Sequence, residues 1–130
     1  MAKQRDELTK LEWTLMDALW ESRQATAGDL QKRLATSQGW AYSTVKTMLD
    51  RLVAMGYVKT RRVGNVYEYS ARVKRPTAVG RLVDDIVDRL FGGSPTPLVQ
   101  HLLERGAFDS QDLEKLKAVL EQYTDQEHKS

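Results

Sequence analysis

The stretch WAYSTVKTMLDRLVAMGYV, residues Trp40–Val58, decides the fold of this chain. Its apolar residues recur at helical spacing and predict one buried stripe along a helix. The residues of this stripe are Val45, Leu49, Leu52 and Val53, with Met48 at its edge. We expect the helix to stop at Gly56, because glycine accepts the left-handed conformation that ends helices. The opposite face carries hydrogen-bond donors, which are Ser43, Thr44, Lys46, Thr47 and Arg51.

Two further helices are predicted before this stretch. The first begins at Thr9, which has Glu12 three residues on, the spacing of a capping box. It should end near Ser22. Its buried face is predicted to carry Leu11, Leu15 and Leu19. The second helix begins at Thr26 with a similar start signal and fades at Gly39, so that a helix-turn-helix is expected.

The period of the sequence changes after the third helix. Residues Tyr57–Ser70 are rich in β-branched and aromatic side chains and contain the pair Gly64-Asn65. Such a pair between two strand-like segments predicts a β-hairpin. Tyr67 and Tyr69 share one face of the second strand, and we expect both to pack against the helices. Three helices followed by a hairpin predict a winged helix-turn-helix, mainly α with a small β wing.

The remaining sequence predicts a separate helical region. Residues 71–76 are interpreted as a linker, which divides the chain into a winged-helix domain, 1–73, and a helical domain, 74–130. Three short helices are predicted there, the last of them capped by Asp109, and such helices bury little apolar surface on their own. Their wide apolar stripes therefore predict a partner, most simply the same segment of a second chain. The residues predicted at this dimer interface are Val83, Ile86, Leu90, Leu98, Leu102, Leu116 and Leu120.

Composition and charge exclude several function classes. Residues 1–75 hold 14 basic and 8 acidic residues, whereas residues 76–130 hold 6 and 10, so the basic half is the one expected to meet a polyanion. There is no cysteine and no apolar run long enough for a membrane helix or a signal peptide, which favours a cytoplasmic protein. His101 and His128 are the only histidines, and no catalytic pairing surrounds them. We expect no enzyme activity, cofactor or metal, and we interpret Asp84, Asp85 and Asp88 as a solvated helix face.

The donor face of the third helix is predicted to contact DNA. Thr44, Thr47 and Arg51 align along the helix, and such residues on the second helix of a helix-turn-helix reach base edges in the major groove. Cations on the hairpin extend this footprint along a phosphate backbone. The wing residues concerned are Lys59, Arg61 and Arg62, with Asn65 at the turn. The alternative is a winged-helix protein-interaction module without specific DNA binding, and its donor face would be ordinary solvated surface.

Several blocks of this sequence resemble one known family. The blocks LTKLEWTLMDALW, WAYSTVKTMLDRL, MGYVKTRRVGNVYEYSARV and LVQHLLERGAFDSQDLEKL are similar to successive parts of the penicillinase repressors of the BlaI/MecI type. The resemblance runs from Leu8 to Tyr123. It implies a homodimeric repressor of a palindromic operator with TACA/TGTA-like half-sites. It also implies DNA contacts from Ser43, Thr44, Lys46, Thr47 and Arg51 and from the wing residues Arg61, Arg62 and Asn65.

Two departures from the family pattern concern release from DNA. Family members that respond to β-lactams are cut by a membrane metalloprotease sensor at an Asn-Phe bond, and that bond aligns with His101-Leu102 here. The expected cleavage pair is absent, so cutting by such a protease would require a different preference. The copper-responsive branch of the family senses metal through C-terminal cysteines, which this chain lacks.

Overall fold

The computed structural model describes residues 7–129, with side chains from Glu7 to Gln126. Residues 1–6, the start of the N-terminal segment in which no signal peptide was expected, lie outside these residues, and so does the side chain of His128. The chain divides into two compact units, one up to Val83 and one from Asp84 onward. Its helices and strands are α1 (Lys10–Ser22), β1 (Gln24–Thr26), α2 (Ala27–Gln38), α3 (Tyr42–Ala54), β2 (Val58–Val63), β3 (Val66–Ala71), α4 (Arg75–Leu90), α5 (Thr96–Glu104) and α6 (Ser110–Lys129).

The first two helices begin as predicted, each with a reciprocal cap. The backbone N–H of Glu12 donates to Thr9 Oγ1 at 3.2 Å, and the Thr9 N–H donates to Glu12 Oε1 at 2.8 Å. Thr26 and Asp29 repeat the arrangement at 3.2 and 3.1 Å. These bonds satisfy backbone donors that a helix N-terminus would otherwise leave without partners. The caps fix where α1 and α2 start, and the predicted starts are confirmed.

The buried faces of α1 and α3 are narrower than predicted. Leu15 and Leu19 are fully buried, but Leu11 is 51% exposed. In α3 the buried residues are Val45, Met48, Leu49 and Leu52, whereas Val53 is 36% exposed. Residues four apart differ by about 40° around a helix, so a row of them drifts out of a flat core. The placements of Leu11 and Val53 in the core were wrong for this reason.

The predicted hairpin is present but belongs to a three-stranded antiparallel sheet. The strand order is β1-β3-β2, with Ala25 of β1 opposite Tyr69 and Val58 of β2 opposite Ala71. Gly64 begins the turn between β2 and β3 with a φ of 63°, which explains the glycine there. The sequence did not predict β1, because its three residues are too few for a strand pattern. The added strand joins the hairpin to the α1–α2 connection.

The winged-helix unit includes the first part of α4. Ala78 is buried in its core, and the Arg75 guanidinium contacts the Asp17 carboxylate at 2.9 Å. The indole of Trp20 donates to the carbonyl of Val73 at 2.9 Å. The predicted linker is therefore shorter, because Ala71 ends β3 and α4 begins at Arg75. Proline in a first helical turn loses no needed hydrogen bond, so it starts α4 rather than closing a linker.

The second unit has helices without a core of their own. Two left-handed glycines separate α4 from α5, and the N–H of Asp112 donates to Asp109 Oδ1 at 2.8 Å at the start of α6. This is the cap predicted by the helical pattern. Among the described side chains from Asp84 to Gln126, none is buried. The exposed apolar residues of this unit include Leu90, Val99, Leu103, Leu113, Val119 and Leu120.

Candidate nucleic-acid interface

The outward face of α3 is open along its length. Helices α2 and α3 are joined by the turn 39–41, so α3 is the second helix of a helix-turn-helix. Four of the predicted contact residues are exposed, and within the described part of the chain their side chains have no hydrogen-bond or ion-pair partner. They are Ser43, Thr44, Thr47 and Arg51. Donors without internal partners on this helix are available for base edges and phosphates.

Lys46 lies on the same helix but is held toward the sheet. Its ammonium donates to the Asp50 carboxylate at 2.7 Å and lies 5.8 Å from the centre of the Tyr69 ring. The hydrogen bond to Asp50, and after it one to the Tyr69 hydroxyl, raise the pKa of Lys46 above its ordinary value. Lys46 is therefore charged at neutral pH, and it links the recognition helix to the wing.

The two wing arginines lie on opposite faces of the hairpin. Arg61 is directly opposite Glu68 and forms an ion pair with it at 3.1 Å. Arg62 is opposite Tyr67 and donates from Nε to the carbonyl of Gly64 at 3.2 Å. Because side chains alternate along a strand, Arg62 lies on the same face of the sheet as Tyr69, whereas Arg61 lies on the opposite face. The sequence grouped these arginines around one tip, whereas the structure brings only Arg62 to the α3 side.

The remaining charges leave a surplus of free cations. Between Lys46 and Arg72 there are two acidic residues, and each of them is paired with a cation, Asp50 with Lys46 and Glu68 with Arg61. Within the described residues, the other four cations of this segment have no ion-pair partner. They are Arg51, Lys59, Arg62 and Arg72. Cations without carboxylate partners can replace counterions on a nucleic-acid backbone.

Two exposed tyrosines were missed as candidate site residues. Tyr69 packs against the helices as predicted and is 3% exposed, but Tyr67 is 53% exposed, so the prediction for Tyr67 was wrong. It lies near the hairpin tip, where β3 is exposed, and does not enter the core that Tyr69 reaches. Tyr42, the first residue of α3, is also 53% exposed. Their sequence neighbours, the donors of α3 and the cations of the wing, were the available signal, but the exposure of the two rings depends on tertiary packing.

The described residues also bear on the metal, membrane and acidic features considered in the sequence. Among the described residues, no three histidine, cysteine or acidic side chains group as a metal site. No described helix is long and apolar enough to cross a membrane. His101 is exposed on α5, and Asp85 of the acidic group contacts Arg89 on its own helix.

The residues predicted at the dimer interface lie on all three C-terminal helices. Leu90 and Leu120 are the most exposed of them, at 73% and 58%, and Val83 is 43% exposed. The other four, Ile86, Leu98, Leu102 and Leu116, are half-buried. The bond between His101 and Leu102 lies inside α5, so its backbone is part of a helix rather than an open loop.

The fold and the basic, donor-rich face of α3 define a winged helix-turn-helix protein of the DNA-binding class. A family model described as "Penicillinase repressor" matches residues 8–122. The chain belongs to this family, whose members are transcriptional repressors and not enzymes. The family expected from the sequence blocks is confirmed.

Individual relatives agree with this assignment. The chain is 28% identical over 120 residues to an uncharacterized 16.5 kDa protein of Latilactobacillus sakei, covering 92% of this chain and 82% of that protein. It is 22% identical to the penicillinase repressor of Staphylococcus aureus, and the match covers 92% of this chain and 95% of that protein. A similar fold is found in the solution structure of the Bacillus licheniformis BlaI monomeric form in complex with the blaP half-operator. The protein chain of that structure is 23% identical in sequence to this chain. It superposes with a TM-score of 0.50, covering 59% of this chain and 93% of that one. This structural likeness confirms the winged-helix fold.

Proposed function

We propose that this protein is a cytoplasmic, homodimeric repressor that binds a near-palindromic promoter operator with TACA/TGTA-like half-sites. The observation that carries the proposal is the outward face of α3. There, Ser43, Thr44, Thr47 and Arg51 are exposed without internal partners beside a wing with unpaired cations. Occupation of the promoter by this surface blocks access of the polymerase.

Recognition divides between α3 and the wing. Thr44, Thr47 and Arg51 contact base edges in the major groove, where a good bidentate contact contributes about 1–3 kcal/mol of discrimination. Ser43 and Lys46 lie beside them and contact phosphates or bases. On the wing, Arg61, Arg62 and Asn65 follow the sugar-phosphate backbone, and Arg61 must leave Glu68 to do so. The cations give affinity by releasing counterions, so binding falls steeply with salt.

The exposed apolar residues of the second unit support the proposed dimer. None of its described side chains is buried, although seven large apolar residues are exposed. A helical region of this kind becomes stable when its apolar stripes are covered, and a second copy offers matching stripes. A symmetric dimer presents two α3 helices to two half-sites, which accounts for the near-palindrome. The relative from Bacillus licheniformis, solved as a monomeric form with a half-operator, supports the division into one half-site per chain.

Release from DNA occurs when the dimer is weakened. One chain holds half of the operator contacts. Cutting or distorting the C-terminal helices separates the two chains, so the contacts of the second chain no longer add to the operator affinity of the first. A membrane metalloprotease sensor could act at His101-Leu102 only after α5 opens locally, because proteases need an extended backbone. We propose cutting or distortion of these helices as the route of induction.

The test is fluorescence anisotropy of the purified protein on the DNA upstream of its own gene, at low and high salt. The variant Arg51→Ala removes a proposed base contact, and Arg105→Ala, an exposed arginine at the end of α5, is the matched control. We expect saturable binding that is weakened by Arg51→Ala and by scrambling the duplex, and unchanged by Arg105→Ala. No binding to any duplex would refute the proposal and favour the protein-interaction module.

A further inference from the structure

A cleft of about 330 Å³ lies between the recognition helix and the wing. Its walls come from three elements that are distant in sequence, namely the start of α2, the start of α3 and the tip of the hairpin. The residues that matter for its chemistry are Gly28, Tyr42, Lys46, Asn65, Tyr67 and Tyr69. Lys46 and Asn65 line both this cleft and the predicted DNA site, but Thr44, Thr47 and Arg51 do not line the cleft. The cleft therefore lies beside the outward face of α3.

The cleft presents neutral hydrogen-bond donors that the protein itself does not use. The phenol rings of Tyr42 and Tyr67 are each 53% exposed. Within the described residues, neither hydroxyl has a hydrogen-bond partner. Asn65 adds a side-chain amide at the hairpin tip, and Lys46, which is paired with Asp50, adds an ammonium group on the α3 side. Tyrosine and asparagine side chains are common donors to phosphate oxygens of DNA.

Gly28 gives an independent indication that another molecule approaches. It lies in the first turn of α2, where alanine would be the better helix former. An added Cβ would meet only Thr26 Oγ1, at the ordinary contact distance of 3.8 Å. The fold therefore does not require glycine at this position. Glycine is frequent where a ligand must approach a backbone closely, and here it lines the cleft.

We infer that this cleft receives a segment of the DNA sugar-phosphate backbone, with the hydroxyls of Tyr42 and Tyr67 donating to phosphate oxygens. The inference rests on the proposed function. When a recognition helix enters the major groove and a wing follows the adjacent backbone, one strand must pass between them. The cleft occupies this position. Its contacts set the register of the protein on the duplex and carry no sequence information themselves.

Contacts from tyrosine hydroxyls and contacts from cations should differ in how the operator affinity depends on salt. A neutral hydroxyl that binds a phosphate releases no counterion, so its loss weakens binding equally at every salt concentration. Tyr42→Phe and Tyr67→Phe should each weaken operator binding by about three- to tenfold. The slope of affinity against salt should stay unchanged in both. Arg62→Ala, in contrast, should lower that slope by about one.

The experiment uses the full chain and the upstream duplex that the wild type binds. Single neutral methylphosphonates are placed in turn along each strand, and affinities of wild type, Tyr42→Phe and Tyr67→Phe are compared. We expect one or two positions that weaken the wild type but have little further effect on the corresponding Phe variant. Tyr123→Phe, an exposed tyrosine of α6, is the matched control and should not change binding. Thermal unfolding of each variant confirms that the fold is retained.

A second pair of variants tests the shape of the cleft. Gly28→Leu places a large side chain on the lining of the cleft and should weaken operator binding by at least tenfold. Gly80→Leu, at an exposed glycine within α4, serves as the control for leucine in a helix. Unchanged binding in Gly28→Leu and in both Phe variants would overturn the inference. The inference would also be overturned if Tyr→Ala variants lost operator affinity while Tyr→Phe variants kept it. In that case the ring, and not the hydroxyl, would make the contact. Failure of the wild type to bind any duplex would overturn the proposed function as well.

Discussion

The two units of this protein differ in how many apolar side chains they bury. In the first, apolar side chains from α1, α2, α3, the sheet and the start of α4 form one core, and residues such as Leu15, Leu19 and Leu49 are fully buried. In the second, no described side chain is buried and leucines remain exposed on α4, α5 and α6. The winged-helix unit therefore has a complete core within one chain, whereas the helical unit has none, and under the proposed function a second chain covers its apolar residues.

The largest expected effect comes from the core of the first unit. Leu49→Ala should lower the free energy of unfolding by about 2–5 kcal/mol, because it leaves a cavity among fully buried residues. Leu103→Ala, at a position that is 42% exposed on α5, should have a much smaller effect in the monomer. Urea unfolding measures both losses. Equal losses at the two positions would contradict the difference between the units.

Dimerisation should fail when charge enters the C-terminal apolar stripes. The double variant Leu90→Asp with Leu120→Asp changes the two most exposed predicted interface leucines. It should sediment as a monomer and bind the operator on the order of 10²-fold more weakly, because one half-site contact no longer assists the other. Leu11→Asp is the matched control, an exposed leucine of the winged-helix unit. A dimer that persists in the double variant would show that another surface joins the chains.

A smaller effect is expected at the ion pair of the recognition helix. Asp50→Asn removes a negative charge from α3 and releases Lys46 from its carboxylate partner. Affinity for scrambled duplex should rise by roughly three- to tenfold, since a charge at contact distance in water contributes about 1 kcal/mol. Anisotropy at low salt measures the change, with Asp125→Asn on α6 as the control. Weaker binding would indicate that Asp50 positions Lys46 for recognition.

The smallest effect concerns the start of α3. Ala41 has extended dihedral angles, φ −79° and ψ 160°, but offers no side-chain cap. Ala41→Ser should stabilise the winged-helix unit by about 0.5–1 kcal/mol, because its hydroxyl can accept from a free backbone N–H. Thermal unfolding would detect it as a higher Tm, and the dimer dissociation constant should not move. A change in dimerisation would contradict the independence of the two units.

Local signals made most of the fold predictable from the sequence. The caps at Thr9, Thr26 and Asp109 and the turn at Gly64 depend on neighbours within a few residues, and the structure confirms them. Strand β1 was not predictable in this way, because three residues carry no pattern and its pairing with β3 joins distant segments.

The candidate site was harder to predict because it depends on which way side chains point. The donors on α3 could be assigned to one face from helical spacing alone. Strand alternation could have separated Arg61 from Arg62, but the acidic partner of Arg61 comes from the register with β3. The exposure of Tyr67 depends on how far the hairpin extends beyond the helices, and the cleft depends on three distant elements meeting. Such features follow from tertiary packing and not from local pattern.

The short helix α5 gives the proposed induction a time scale. It spans Thr96–Glu104, contains the bond between His101 and Leu102, and has no buried residue in the single chain. Helices shorter than about 12 residues are marginal in water unless other surfaces hold them. If induction proceeds by cutting and not by distortion, an unassembled chain would therefore be cut faster than a chain paired on DNA. The cell would lose its reserve of free repressor first, and promoters would open at the rate at which bound dimers come apart, however fast the protease works.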